Sequence, residues 1–282
     1  MTVSSPAHRP HIATIGDVML DVIVDSATPL RLDDDTNASI RLSPGGQAAN
    51  VAAWAAALGA DATVIGPRGQ SAAAGVVADR LTAAGVTFVG IDAGDVGTVV
   101  SITSGGTRTM ASDAGPQAWL ASLDPGLLPD GATVLHVSGY PLLRAADPAP
   151  LISVCAAART RGLQLALDLA SAAMIADYGP QAFVATMNHL APTVIFANSD
   201  EWQAIGPFWT PTDAVVVVKD GSRDVTVIDV EGREARHRVA AAEAVDPTGA
   251  GDALAAGYLV GGIELGIDAA ARCVATHGAQ PV

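Results

Sequence analysis

The residues with the clearest chemical potential lie in one run, Asp246-Pro247-Thr248-Gly249-Ala250-Gly251-Asp252, followed by an apolar stretch from Ala253 to Val260. Pro247 presets its own φ, Thr248 suits an N-cap, and the glycines let backbone come close to a ligand. The pattern predicts a helix that opens with exposed N–H groups. Such an end carries about half an elementary positive charge and unpaired donors, which suits a phosphate oxyanion or a developing negative charge. Asp252 falls in the first turn, where an acid is ordinary helix chemistry. That explains Asp252 alone, but not the Gly-Ala-Gly before it. An anion site beside a carboxylate fits phosphoryl transfer, in which a protein positions a hydroxyl, stabilises charge and offers a base.

Asp246 to Asp252 closely resembles the D-[TP]-T-G-A-G-D signature of the ribokinase-like sugar and nucleoside kinases, the phosphofructokinase-B (PfkB) type. A second signature of that family is resembled by Gly45-Gly46-Gln47-Ala48-Ala49-Asn50-Val51-Ala52, running on to Leu58-Gly59 and Gly69. The resemblance implies a three-layer α/β/α fold with a mostly parallel sheet and a small β-sheet lid. It implies transfer from ATP with Mg²⁺, and for many relatives a monovalent cation, potassium, held by Asp246 and backbone of residues 273–278. Asp252 is then the catalytic base, with the amides of Gly249, Ala250 and Gly251 on the transferring group. Asp21, Gly45, Gly46, Asn50 and Arg108 become candidates for the sugar or nucleoside. Asn198, Lys219, Gly221 and Gly278 become candidates for the nucleotide. Asn198 and Glu201 match the family's N-x-x-E, associated with magnesium through water. Met19 and Gln47 stand where ribokinase carries Asn and Lys, so the acceptor stays open; Asp224 replaces the second glycine of a G-x-x-G at the turn near the nucleotide, which leaves the nucleotide preference open.

These groups need elements to position them. His11 to Gly16 reads as a strand, with Asp17 and Asp21 marking a strand end or crossing. Taken alone, both acids read as solvated turn residues; the resemblance reverses this for Asp21, because a carboxylate accepts two hydrogen bonds from a diol. Asp33-Asp34-Asp35 reads as a solvated loop. Gln47 to Leu58 is apolar all round and predicts a buried helix. Strand, helix and strand follow at 61–66, 71–85 and 86–90, an alternation that favours a parallel sheet with helices on both faces. Thr98–Thr103 and Thr107–Met110 flank Gly105-Gly106 as a hairpin. With residues 22–43 it forms the expected lid (22–43 and 97–112), on which Arg108 is either a surface cation or faces substrate.

Further on, a strand at 133–137 ends in a loop, Ser138 to Pro141, of the kind that lines clefts. A helix at 150–161, a strand at 163–168 ending on Asp168, a helix at 181–190 and a strand at 193–197 follow. Asn198 and Glu201 taken alone read as a cap with an acid in the first turn. The strand 214–218 closes on Lys219, a hairpin turns at Glu231-Gly232, and a last helix covers 266–277, with His277 as its C-terminal cation.

Composition sets the outer limits. The chain has 282 residues, half of them hydrophobic, and suits one main domain over 11–282 behind a loose leader at 1–10. Its net charge of −14 argues against nucleic acid or an anionic membrane as partner. Cys155 and Cys273 lie far apart without metal-ligand spacing, so they read as packing residues in a protein of the reducing cytoplasm. Neither G-x-x-x-x-G-K-[ST] nor a strand-linked G-x-G-x-x-G occurs, which disfavours P-loop and Rossmann chemistry. Exposed lid strands are suited to pair two copies as a homodimer. The rival reading is a non-catalytic sugar or nucleoside sensor on the same fold.

Overall fold

Short runs such as Val-Val-Val-Val at 215–218 suit a strand covered on both faces, as in a mostly parallel sheet between helices. The computed structural model, which describes residues 9–92, 94–104, 107–209, 214–221, 223–239 and 245–281, has that architecture. Its large sheet contains β1 (His11–Ile15), β4 (Asp61–Arg68), β5 (Val86–Asp92), β8 (Val134–Ser138), β9 (Gln164–Asp168), β10 (Val194–Asn198) and β11 (Val215–Lys219). It ends in the antiparallel strands β12 (Val225–Ile228) and β13 (Glu234–His237). The order is β13-β12-β11-β10-β9-β8-β1-β4-β5. The chain builds first to one side of β1, then returns to its other side at β8. A crevice is expected beyond the strand C-termini at such a reversal.

On one face, α1 (Gln47–Ala57), α2 (Ala72–Ala83), α8 (Ala250–Gly261) and α9 (Ile263–Val274) share an apolar core with Ile12, Val64, Phe196 and Val217. On the other, α3 (Gly139–Arg144), α4 (Ala149–Thr160), α5 (Ala172–Tyr178), α6 (Pro180–Leu190) and α7 (Ser199–Ile205) pack over Leu135, Leu165, Ile195 and Val216. Strand side chains alternate between these two cores, as a period of two requires. Cys155 and Cys273 are both free and buried, and among the described residues no helix is long and apolar enough to cross a membrane.

The second sheet has the order β3-β2-β6-β7, from β2 (Met19–Ser26), β3 (Ser39–Gly45), β6 (Gly97–Ser104) and β7 (Thr107–Asp113). A small second sheet agrees with the expected fold class; the Gly105-Gly106 turn, and residues 1–8 of the leader, lie outside the described residues. Several local expectations change. Ser138 to Pro141 is not a loop, because the Ser138 hydroxyl accepts from the Tyr140 N–H and starts α3. Ser171 likewise caps α5, which no apolar period announces. The last helix stops at Val274, so His277 does not cap it and instead lies 3.5 Å from Asp25 of the small sheet. Asp33 to Asp35 are exposed, as a solvated loop should be.

Candidate active site

Helix α8 begins differently from the expectation. Its N-cap is Gly249 at φ 78°, a left-handed conformation that disfavours any side chain, and no side chain caps the helix. Thr248 is not the cap because its hydroxyl donates to Asp246 Oδ1 at 2.5 Å and its N–H to the same oxygen at 2.9 Å. The Ala250 N–H turns back to the Pro247 carbonyl at 3.3 Å, so one of the three expected amide donors is engaged. Among the described residues, the N–H groups of Gly249, Gly251 and Asp252 have no acceptor. Three free amides at a helix start are the raw material of an anion hole.

Asp252, at the third helical position, does not fold back onto its own N-terminus. Its Oδ2 accepts from Asn50 Nδ2 at 2.8 Å, and Asn50 comes from the buried face of α1. Burial, reinforced by the negative charge of Asp168, pushes the Asp252 carboxyl up to about 7 against the pull of Asn50, Lys219 and Gln47. A carboxyl titrating there can accept a proton near neutral pH. Gln47 is held by Ser138, whose hydroxyl donates to Gln47 Oε1 at 2.5 Å.

Two further ionisable groups converge from the strand ends. Lys219 Nζ donates to Asp168 Oδ2 at 2.8 Å, the last residue of β11 reaching the last of β9. The same ammonium lies 3.0 Å from where a Cβ at Gly251 would sit, so glycine there lets it come close to the open amides. Burial opposes the Lys219 charge, but Asp168, Glu201 and Asp252 outweigh it and hold the amine above its ordinary value. Asp168 Oδ1 accepts from the Ala170 N–H at 3.0 Å, and Ala170 itself sits at φ 70°. Beneath the pair, fully buried His136 is kept neutral, its pKa pushed down to about 4 by burial.

Glu201 and Asn198 form a capping box. Glu201 N–H donates to Asn198 Oδ1 at 2.8 Å, Asn198 N–H to Glu201 Oε2 at 2.8 Å, and Asn198 Nδ2 to Glu201 Oε1 at 2.7 Å. Burial and the charge of Asp168 push Glu201 up to about 7. The structural reading of this motif is therefore realised. Each Glu201 oxygen already accepts one hydrogen bond and keeps a second lone pair, which fits accepting from a water of a hydrated magnesium.

The expected acceptor side is built on β2. Asp21 is buried, its Oδ1 has no hydrogen-bond partner, and burial pushes the carboxyl up to about 7. It overlies the bare Cα of Gly45, where any Cβ would collide with the carboxylate. Asp17, expected to be solvated, is instead buried and accepts from Arg144 NH1 at 2.6 Å. Burial still raises its pKa despite that cation. Arg144 also lies 4.8 Å from the centre of the Tyr140 ring. The Tyr140 hydroxyl is pushed up to about 12 by burial and by Asp168, Glu201 and Asp252.

Arg108 spans the gap between sheets. From β7 its NH1 donates to Asp246 Oδ1 at 3.1 Å. The Gly278 N–H donates to Asp246 Oδ2 at 2.9 Å, which fixes Gly278 as a support of that loop. Burial works the other way, but the bonds from Thr248 and Gly278 and the charge of Arg108 hold Asp246 below the usual carboxylate range. The Asp246 carboxylate, the expected contact of a monovalent cation, thus accepts three hydrogen bonds on Oδ1, one from a guanidinium, and one on Oδ2. Gly221 sits at φ 60° in the turn after β11, beside a recess bordered by Ser199, Asp220, Arg223, Asp224 and Arg236 that does not include Asp252.

Sequence reasoning therefore missed the Asp17–Arg144 pair, the contact between Lys219 and Asp168, and Gln280, whose Nε2 donates to Asn50 Oδ1 at 2.6 Å. The one signal available for Lys219 was a cation closing an otherwise apolar strand of an acidic chain. Gln280 offered none.

Comparisons with known proteins bear on the family and the fold. Residues 9–280 match the pfkB family carbohydrate kinase profile. The bifunctional protein HldE of Halorhodospira halophila is 30% identical over 96% of this chain, and the chain spans 59% of that protein's length. A probable sugar kinase from Rhizobium etli superposes with a TM-score of 0.81 at 20% identity, covering 97% of this chain and 96% of that one. An adenosine kinase from Sinorhizobium meliloti gives 0.79 at 22% identity, with coverages of 97% and 96%. A putative ribokinase II from E. coli gives 0.80 at 17%, with coverages of 96% and 94%. At these identities the solved structures speak for the ribokinase-like fold.

Proposed function

The chain belongs to the pfkB family of carbohydrate kinases, and from that premise we propose that it transfers the γ-phosphoryl group of ATP to a primary hydroxyl of a small sugar, sugar acid or nucleoside. The observation that carries this reading is the pairing of unengaged amides at the start of α8 with a carboxyl, Asp252, whose pKa is pushed to about 7. Asp252 takes the hydroxyl proton as the oxygen attacks phosphorus, and the bond to the departing ADP oxygen breaks. The N–H groups of Gly249 and Gly251 receive the charge on the transferring group; Ala250 contributes once its N–H leaves Pro247. Lys219, beside Gly251, adds a full positive charge. Such preorganised donors act most strongly where water is excluded.

Magnesium would neutralise charge on the nucleotide phosphates, held by Glu201 and Asn198 through water. The nucleotide itself would lie over Lys219, Gly221 and Gly278, at the strand ends. Asp21, with one buried oxygen unpartnered, accepts hydroxyls of the acceptor against the bare backbone of Gly45 and Gly46, and its raised pKa falls once those donors arrive. The small sheet acts as the lid, tied to the body by Arg108. On β3 Ile40 and Leu42 are exposed, Ile40 to 64%, with Val24 in register beside Ile40, whereas Val22, opposite Leu42, packs against the main core. In an acidic chain this uncharged face suits a second copy, and Ile40→Glu would then turn a sedimenting dimer into a monomer. The two free, buried cysteines suit the reducing cytoplasm.

A screen of sugars, sugar acids and nucleosides with MgATP, read by ADP release, tests the assignment. One acceptor class should release ADP in proportion to acceptor. Saturable acceptor binding without ADP would establish the sensor reading in its place.

A further inference from the structure

The segment after α9 is fastened to the site more tightly than its distance in sequence from α1 suggests. The Gly278 N–H is bound to Asp246, and the Ala279 carbonyl accepts from the buried indole Nε1 of Trp54 at 2.8 Å. Directly after these two anchors, Gln280 points at Asn50, its Nε2 lying 2.6 Å from Asn50 Oδ1. Asn50 in turn places its own Nδ2 2.8 Å from Asp252 Oδ2.

The amide of Asn50 can be mounted in two ways. With its NH₂ toward Asp252 it stabilises a carboxylate; with its oxygen there it repels one. A donor on the far side favours the first, because it holds the Asn50 oxygen, and Gln280 presents its Nε2 there. From this geometry we infer that Gln280 is a positioning residue of the phosphoryl transfer, locking the Asn50 side chain in the orientation that presents its N–H to the catalytic carboxylate. The inference rests on the kinase reading for its catalytic meaning, although the lock itself does not. Asn50, read from sequence as an acceptor ligand, thereby gains a second duty as the link between residue 280 and the base. Asp252 is also faced by Asp168 from β9, Lys219 from β11, Tyr140 from α3 and Cys273 from α9, none of which touches Gln280 in the hydrogen-bond network.

Gln280→Met keeps length and removes the donor. It should lower kcat about tenfold with KM for ATP little changed, and move the acidic limb of kcat/KM upward by about one pH unit, since losing a hydrogen bond to a charged group raises a carboxyl pKa. Gln280→Glu replaces the donor by an acceptor, turns the Asn50 NH₂ away from Asp252, and should cost more. In an Asn50→Ala background, Gln280→Met should add nothing further, because it acts through Asn50. The Asp252 pKa is read independently by carboxyl ¹³C NMR in wild type and Gln280→Met, without turnover. An unchanged NMR pKa, or additive losses in the double variant, would overturn the lock. A shifted NMR pKa in a protein that phosphorylates no acceptor would overturn the kinase reading and leave Gln280 as the group that sets the charge of Asp252.

Discussion

Helices α7 and α8 start near the same rim of the large sheet, and each carries an acid at its third position, yet they end up chemically opposite. In α7, Glu201 reaches back to the Asn198 N–H and the Asn198 side chain reaches forward, so the helix closes its own terminus. In α8 the cap is a left-handed glycine without a side chain, and Asp252 is drawn sideways to Asn50. The first arrangement satisfies donors within the protein, which stabilises folding. The second leaves donors for something else, which costs stability and creates a site. An acid three residues into a helix thus has no fixed meaning; what its carboxylate bonds to decides it.

If the contrast is right, substitutions at the two helix starts should be read by different measurements. The largest effect belongs to Asp252→Asn, which removes the base and keeps the shape: turnover should fall about a thousandfold while acceptor binding stays near normal, measured by steady-state kinetics and calorimetry. A nearly active variant would erase the distinction between the two helix starts. The same group sets the pH profile. Its folded pKa is raised to about 7, so below that pH the carboxyl is protonated and cannot act as a base. The wild-type kcat/KM should therefore climb with pH through about 7 and level off above it; a profile flat from about pH 5 to 9 would remove Asp252 from the role.

Next in size is Lys219→Met. It takes the cation from beside Gly251 and should lower kcat/KM for ATP about a hundredfold. Asp168 is then left buried and unpaired, a loss of about 3–5 kcal/mol in urea unfolding that is smaller if Asp168 takes up a proton. Measuring both separates the catalytic charge from the structural one, since Lys219→Met with Asp168→Asn should restore stability but not turnover. The smallest effect is expected at the closed terminus. Asn198→Ala should cost about 1 kcal/mol of folding stability, seen as a lower urea midpoint. Because Asn198 and Glu201 would also hold magnesium through water, the variant should need more Mg²⁺ for half-maximal activity; a loss of activity that added Mg²⁺ fails to restore would show that this terminus does more than close itself and hold the hydrated ion.

Much of this protein is legible in the order of its residues. Alternating strands and helices at 11–90 carry the doubly covered sheet, and the β-rich 98–110 announces the small one. Local chemistry is readable because it depends on neighbours in sequence: the Gly-Ala-Gly turn before Asp252, the Asn198 to Glu201 cap, the buried Ala-rich α1. Where a side chain competes for the same local role, the reading fails, as at Thr248, whose hydroxyl bonds Asp246 instead of capping α8. Short helices such as α3 and α5 escape because a single capping serine and one or two turns leave no measurable apolar period.

By itself, then, the sequence determined the class of fold, the open helix start and the acid within it, because backbone conformation and terminal donors follow from a few adjacent residues. Only the tertiary structure decided which charges meet: Lys219 with Asp168, Arg144 with Asp17, Arg108 with Asp246, and the line from Gln280 through Asn50 to Asp252. These partners are separated by 51 to 230 positions along the chain. No local propensity encodes such encounters; they arise when strands and helices pack into one sheet and bring remote side chains within hydrogen-bonding reach.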